Sequence, residues 1–239
     1  MRVKYLFFDI ECANPRYNSI CTFGYVLTDE CFNLLDQRDI LINPETGYDK
    51  YVVKNILHYP VELLNAQMPF PCFFDEIRAM MSDDDTVVFG FSISNDIRFL
   101  NETCIRYRLP SLSYTFYDVQ KLFGEYANVS DQASIEKAYE LLSLGKPATV
   151  HRSDEDARAT MEILKALVAL SGESSVEYLA KRAACSGVNA GFIEKWNHSA
   201  KPPINHKKNH YKTLMLRAKK KKEAKAKKEA EKKNEPITV

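Results

Sequence analysis

Two acidic side chains stand two residues apart at the end of an apolar run, Phe7-Phe8-Asp9-Ile10-Glu11. Side chains alternate faces along a strand, so a strand here would project both carboxylates to the same side. Like charges packed together repel unless a proton or a cation lies between them. A hard divalent ion such as Mg²⁺ or Mn²⁺, which prefers oxygen ligands, resolves that conflict. The plainer reading of the same pair is a solvated strand end.

Two other places carry comparable chemistry. Asp96 lies in GFSISNDIRFL (90–100), at a strand-to-helix junction where aspartate is also a favoured first-turn residue. His151 and Asp156 lie in His151-Arg152-Ser153-Asp154-Glu155-Asp156, whose Ser153-to-Asp156 stretch fits the [ST]-x-x-[DE] capping-box pattern. Histidine is the side chain that titrates near neutral pH and so is suited to moving protons. Each feature by itself reads as well as a helix cap or a loop histidine.

The elements that must position these residues are read from periodicity. VKYLFFDI (3–10), ICTFGYVLT (20–28) and FNLLDQRDILI (32–42) are rich in β-branched and aromatic residues and are separated by short polar breaks, which predicts a three-strand meander. TVVFGFS (86–92) predicts a fourth strand, then a helix over 97–107 with Ile97, Leu100, Cys104 and Tyr107 at helical spacing, and a short strand near Tyr114–Tyr117. SIEKAYELLSLG (134–145) reads as a helix ended by Gly145, and 153–172 as a longer one ended by Gly172. In the latter, Ala157, Thr160, Met161, Leu164, Leu167 and Val168 form one apolar stripe, to be packed on the sheet. SVEYLAKRAACS and AGFIEKW predict closing helices within 173–200. The fold class expected is α/β, a mixed sheet of a three-strand meander plus parallel strands, flanked by helices.

Composition divides the chain. Of 33 basic and 32 acidic residues, 14 basic and 4 acidic fall in 201–239, leaving 19 basic against 28 acidic in 1–200. An acidic domain over 1–200, continued by a lysine-rich tail, is therefore expected. The tail has nothing large and apolar to bury between Ala218 and Ile237, which predicts a solvated, partly helical arm. Its charge suits non-specific attraction to nucleic-acid phosphates or serves solubility alone. Cys12, Cys21, Cys31, Cys72, Cys104 and Cys185 form no CxxC pair and read as reduced thiols of a cytoplasmic protein. Met1 leads straight into a strand-like run, and no stretch approaches the roughly 18 apolar residues of a membrane span.

Taken jointly, D-x-E on a first strand, an aspartate 85 residues after Glu11 and H-x-x-x-x-D opening a late helix resemble the DEDDh-type 3′→5′ exonucleases, which are ribonuclease-H-like. That family includes the proofreading exonuclease subunit of bacterial replicative polymerase, ribonuclease T and oligoribonuclease. The resemblance covers roughly 1–170. FDIECAN matches the first motif, LINPE the end of the third strand, SIEKAYELLSLG the helix before the third motif, and HRSDEDARAT the third motif.

The resemblance implies that Asp9, Glu11, Asp96 and Asp156 hold two Mg²⁺ or Mn²⁺ ions about 3.5–4 Å apart, with Asp9 bridging, and that His151 is the general base. The expected products are nucleoside 5′-monophosphates released from a 3′ end, with Ile10, Cys12, Ala13 and Ser92 around the terminal nucleotide. Cys12 stands where the family usually has threonine, and Phe91-Ser92-Ile93-Ser94-Asn95-Asp96 where it often has HNAxFD. Neither departure removes a metal ligand, but both alter the walls of the pocket. DNA in proofreading or repair is the expected substrate, with RNA ends as the alternative and a non-catalytic binding module as a third reading. Polymerase association and homodimer formation stay open, and Phe7, Phe8, Phe89 and Phe91 read as core more than as base-stacking platforms.

Overall fold

In a computed structural model of the protein, residues 3–129, 133–148 and 151–189 are described. Six strands form one sheet: β1 (Lys4–Cys12), β2 (Ile20–Asp29), β3 (Leu34–Leu41), β4 (Thr86–Gly90), β5 (Tyr114–Asp118) and β6 (Ser186–Asn189), in the order β3-β2-β1-β4-β5-β6. The first three pair antiparallel as the expected meander, β4 and β5 join parallel, and β6 closes antiparallel on β5. The α/β mixed sheet expected from the sequence is the architecture observed.

Helices cover both faces of that sheet: α1 (Lys50–Asn55), α2 (Val61–Asn65), α3 (Phe74–Met81), α4 (Ser94–Tyr107), α5 (Val119–Ala127), α6 (Ile135–Leu141), α7 (Ser153–Ser171) and α8 (Ser175–Ala180). The alternation of β1 distributes its side chains between them. Tyr5 and Phe7 pack with Phe89, α5 and α7 on one face, and Leu6, Phe8 and Ile10 pack with α3 and α4 on the other. Phe7, Phe8 and Phe89 are fully buried and Phe91 half-buried against the first of these cores, which makes them structural.

Every member of the predicted α7 stripe, from Ala157 to Val168, is buried, and Gly172 ends the helix at φ 70°, a left-handed turn that glycine adopts without strain. The α6 prediction requires correction. The helix ends at Leu141, because Ser143 at φ 56° turns the chain before Gly145 becomes relevant. SVEYLAKRAACS is likewise not one helix. It runs as α8, a 3-10 turn over Ala183–Cys185 and the start of β6, since Ser174 and Glu177 form a capping box that starts a short helix and the edge of β5 is free to pair with Ser186–Asn189. AGFIEKW and the tail 201–239 lie outside the described residues. The six cysteines are free thiols, and among the described residues no helix is long and apolar enough to cross a membrane.

Candidate active site

Asp9 and Glu11 emerge at the C-terminal end of β1 on the face that α7 covers, continuing the row of Tyr5 and Phe7. A bulge at Glu11/Cys12 shifts the register with β2, and the Cys21 thiol donates to the Glu11 carbonyl at 3.3 Å. Such a bulge re-aims side chains at a strand end.

What brings α7 to this point is a missing side chain. Gly24 on β2 is the register partner of Asp9. A Cβ on Gly24 would lie 2.0 Å from the Asp154 backbone nitrogen and 2.0 Å from the Ser153 carbonyl carbon, so the first turn of α7 sits directly on the sheet there. The Ser153 hydroxyl, buried, lies 2.8 Å from that of Thr22 and 3.0 Å from an oxygen of Asp39, whose other oxygen accepts from the Tyr59 hydroxyl at 2.8 Å. Arg152 pairs with the buried Asp154 through Nε at 2.8 Å.

The capping box expected over Ser153 to Asp156 is absent. Arg152 is the cap residue and makes no side-chain cap bond, because the Ser153 hydroxyl is spent on Thr22 and Asp39. Asp156 instead accepts the His151 backbone N–H through Oδ2 at 2.9 Å, and its Oδ1 is buried with no partner among the described residues. That bond fixes a turn in which His151 adopts φ 65°. The half-exposed His151 imidazole reaches Glu11, with Nδ1 to Oε1 3.9 Å. Ligand atoms of Glu11, His151 and Asp156 all lie within 4.8 Å of one another.

Asp96 comes from the first turn of α4 and is buried. The chain enters that helix through Ser92 at φ 59°, held by the Ser92 N–H donating to Asp118 at 3.1 Å. Asp118 also caps α5 by accepting from the Gln120 N–H at 3.1 Å.

The electrostatics show how tightly the acids are gathered. Burial, then the charges of Asp156 and Asp39, push Asp9 well above the ordinary carboxylate range. Burial, then Asp9 and Glu11, do the same to Asp96, and the Ile10 N–H offsets part of the rise in both. Burial, then Asp9, Asp156 and Asp39, raise Glu11 to about 9, and burial raises Asp156 to about 7. A carboxylate that merely served the end of a helix would not be buried and repelled in this way. Protons or a cation must neutralise the cluster, and a donor set dominated by carboxylates, with an orphaned buried oxygen on Asp156, fits hard divalent ions.

A family model described as Exonuclease matches residues 6–164. The chain belongs to this exonuclease family. The resemblance to DEDDh-type 3′→5′ exonucleases read from the motifs is thereby borne out, with the ribonuclease-H-like sheet. Among solved structures, the nuclease domain of 3′hExo, a DEDDh family member bound to rAMP, is 16% identical with a TM-score of 0.60, over 73% of this chain and 94% of that one. A 3′-exonuclease recognising the histone mRNA stem-loop is 15% identical, TM-score 0.62, over 73% of this chain and 65% of that one. E. coli Exonuclease I in complex with a dA16 oligonucleotide is 16% identical, TM-score 0.60, over 75% of this chain and 43% of that one. The chain thus spans less than two thirds of two of these three. No curated protein sequence matches it.

The structure therefore brings Asp9, Glu11, Asp96, His151 and Asp156 of this exonuclease to one end of β1. Of the residues expected around the terminal nucleotide, Ile10 and Ala13 have buried side chains, which leaves only their backbone for such a role. Cys12 and Ser92 are half-buried. Sequence reasoning missed Gly24, Asp39 and Asp118. An aspartate between a strand and a helix was a readable cap signal for Asp118, whereas Gly24 and Asp39 matter only through a cross-strand register that local pattern does not encode.

Proposed function

We propose that this exonuclease is a two-metal 3′→5′ enzyme that hydrolyses phosphodiesters to nucleoside 5′-monophosphates, with DNA ends as its substrate. The observation that carries the reading is the convergence of four buried or half-buried acids from β1, α4 and α7, with His151 3.9 Å from Glu11. Asp9, Glu11, Asp96 and Asp156 would hold two Mg²⁺ or Mn²⁺ ions, which when bound supply the positive charge that acidifies a water and offsets charge building on the phosphate and leaving 3′-oxygen.

The chain's own residues supply the rest. His151 takes the proton of the attacking water, and its half-exposed ring can pass that proton to solvent. Asp156 sets the ring's position by holding the His151 backbone N–H. Ser92 and Cys12 flank the carboxylates at the ends of β4 and β1 and would border the terminal nucleotide. A non-catalytic module has no need of carboxylates that repel one another at this cost.

Recognition of a 2′-hydroxyl requires polar contacts at the sugar. The half-buried Cys12, whose thiol is a weaker hydrogen-bond donor than a hydroxyl, supports DNA, while the likeness to 3′hExo, bound to rAMP, supports RNA ends as the second reading. The surplus of lysine in 201–239 would add a salt-sensitive attraction for either polymer.

Digestion of 3′- and 5′-labelled single-stranded DNA and RNA of matched sequence, with Mg²⁺, Mn²⁺ or EDTA, tests this. Metal-dependent release of mononucleotides from the 3′ end is expected, faster on DNA. Faster loss from RNA moves the substrate to the second reading, and cleavage of neither polymer overturns the enzyme.

A further inference from the structure

Among the described residues three arginines lie over aromatic rings, and they use their guanidinium groups differently. Arg106 stands 4.9 Å from the Tyr107 ring and donates to the carbonyls of Asn18, Pro44 and Glu45. Arg182 lies 3.7 Å above Tyr178 and donates to the Tyr178 carbonyl and to Glu173. The exposed Arg98 lies 3.5 Å above the Tyr17 ring, closer than either, yet among the described residues it makes no hydrogen bond or ion pair.

Its support is itself braced. Tyr17, in the connection between β1 and β2, stacks on Phe99 of α4 with centroids 5.6 Å apart, and Phe99 packs against the core beneath α4. A guanidinium seated over a braced ring has lost much of its rotamer freedom in advance, and its planar fork of five N–H donors is left to other partners. The chemistry that such a fork matches is a carboxylate or a phosphate. Positions 1–200 carry a negative excess, which disfavours an acidic protein as the partner, whereas a nuclease site built on Asp96 would bring a polyanionic strand close to Arg98.

We propose that Arg98, held over the Tyr17 ring, binds a non-scissile backbone phosphate of the substrate strand. This rests on the nuclease reading of the adjacent acids. Arg98 comes two residues after Asp96, about 3 Å along α4 and about 200° around it. It therefore faces away from the carboxylate cluster, and its phosphate is not the one being hydrolysed. Its contribution belongs to strand affinity and to salt dependence, not to the chemical step.

The test uses the full chain and a 5′-labelled single-stranded DNA, with kcat and KM measured in Mg²⁺ at KCl concentrations from about 50 to about 200 mM. Arg98→Ala raises KM on the order of tenfold at the lowest salt. It also makes the dependence of log(1/KM) on log[salt] shallower by about 0.7, the increment of one phosphate contact on a single strand. Arg98→Lys recovers the slope with only part of the affinity, because the charge returns without the fork, and Tyr17→Ala raises KM while keeping most of the slope. Arg98→Ala with wild-type KM and slope, or with a loss confined to kcat, overturns the assignment. A wild type that cleaves neither this DNA nor RNA of matched sequence overturns the nuclease reading itself, which separates the two failures.

Discussion

Asp9 on β1 faces Gly24 on β2 across the sheet, and the backbone of Ser153 and Asp154 occupies the space that a side chain at Gly24 would fill. The placement of Asp9 beneath the helix that carries its partner Asp156 is thus set by one absent methyl group. Thr22 and Asp39, flanking Gly24 in the sheet, hold the Ser153 hydroxyl and fix the start of α7 in that gap.

Gly24→Ala is accordingly expected to lift the first turn of α7 off the sheet. The colliding atoms are backbone and cannot swing aside, so the cost is roughly 1–3 kcal/mol of stability, and Asp156 and His151 move away from Glu11. Urea denaturation and kcat on a labelled oligonucleotide check this. Wild-type values in both would show that the helix is not seated by the glycine.

Asp9→Ala abolishes turnover, and His151→Ala lowers kcat by about 10²–10⁴-fold, the usual contribution of a general base. Single-turnover digestion reads both. Near-normal rates in either variant would remove the role assigned to that residue.

The acid cluster couples stability to pH in a direction opposite to that of ordinary salt-bridged carboxylates. Glu11 titrates at about 9 and Asp156 at about 7 in the folded chain, against 4.5 and 3.8 as ordinary values. Between the ordinary and the raised values the folded state holds more protons than the unfolded one, so this contribution to stability falls as pH rises. In EDTA the Tm should decline between about pH 6 and about pH 8 more steeply for wild type than for Glu11→Gln. Mg²⁺ or Mn²⁺ should raise the wild-type Tm more at the higher pH than at the lower. Equal metal-induced shifts at the two pH values would contradict the coupling.

Asp118→Ala removes a single carboxylate oxygen that accepts from both Ser92 and Gln120. Loss of a cap costs about 1 kcal/mol, and the freed Ser92 backbone at φ 59° lets the entrance to α4, and with it Asp96, relax. A lower Tm together with a lower kcat is expected, with partial rescue by Asp118→Asn. A fall in Tm alone would confine Asp118 to capping α5.

Deleting residues 207–239 should raise KM at low salt and leave it near the wild-type value at high salt, since phosphate attraction by lysines is screened. A KM that is indifferent to the deletion at low salt would leave the tail a solubilising role.

Much of this protein was legible as pattern. The alternation in FFDIE (7–11) put Asp9 and Glu11 on one side of a strand, and α7 could be read from its stripe and from Gly172, because periodicity and terminators are local properties of the chain. Asp9, Glu11, Asp96, His151 and Asp156 were each ambiguous alone and became a set through their order and context. Where local pattern misled, a partner distant along the chain decided the outcome. Ser153 forgoes its capping role because Thr22 and Asp39 claim its hydroxyl, and residues 186–189 become a strand because β5 has an open edge. Gly24 shows the same limit, since its importance depends on a helix more than a hundred residues away. Residue types and their order were enough to define the chemistry that these side chains can perform. That burial and mutual repulsion force this chemistry on them is a property of the fold, because the field felt by a carboxylate depends on which other charges are folded up beside it.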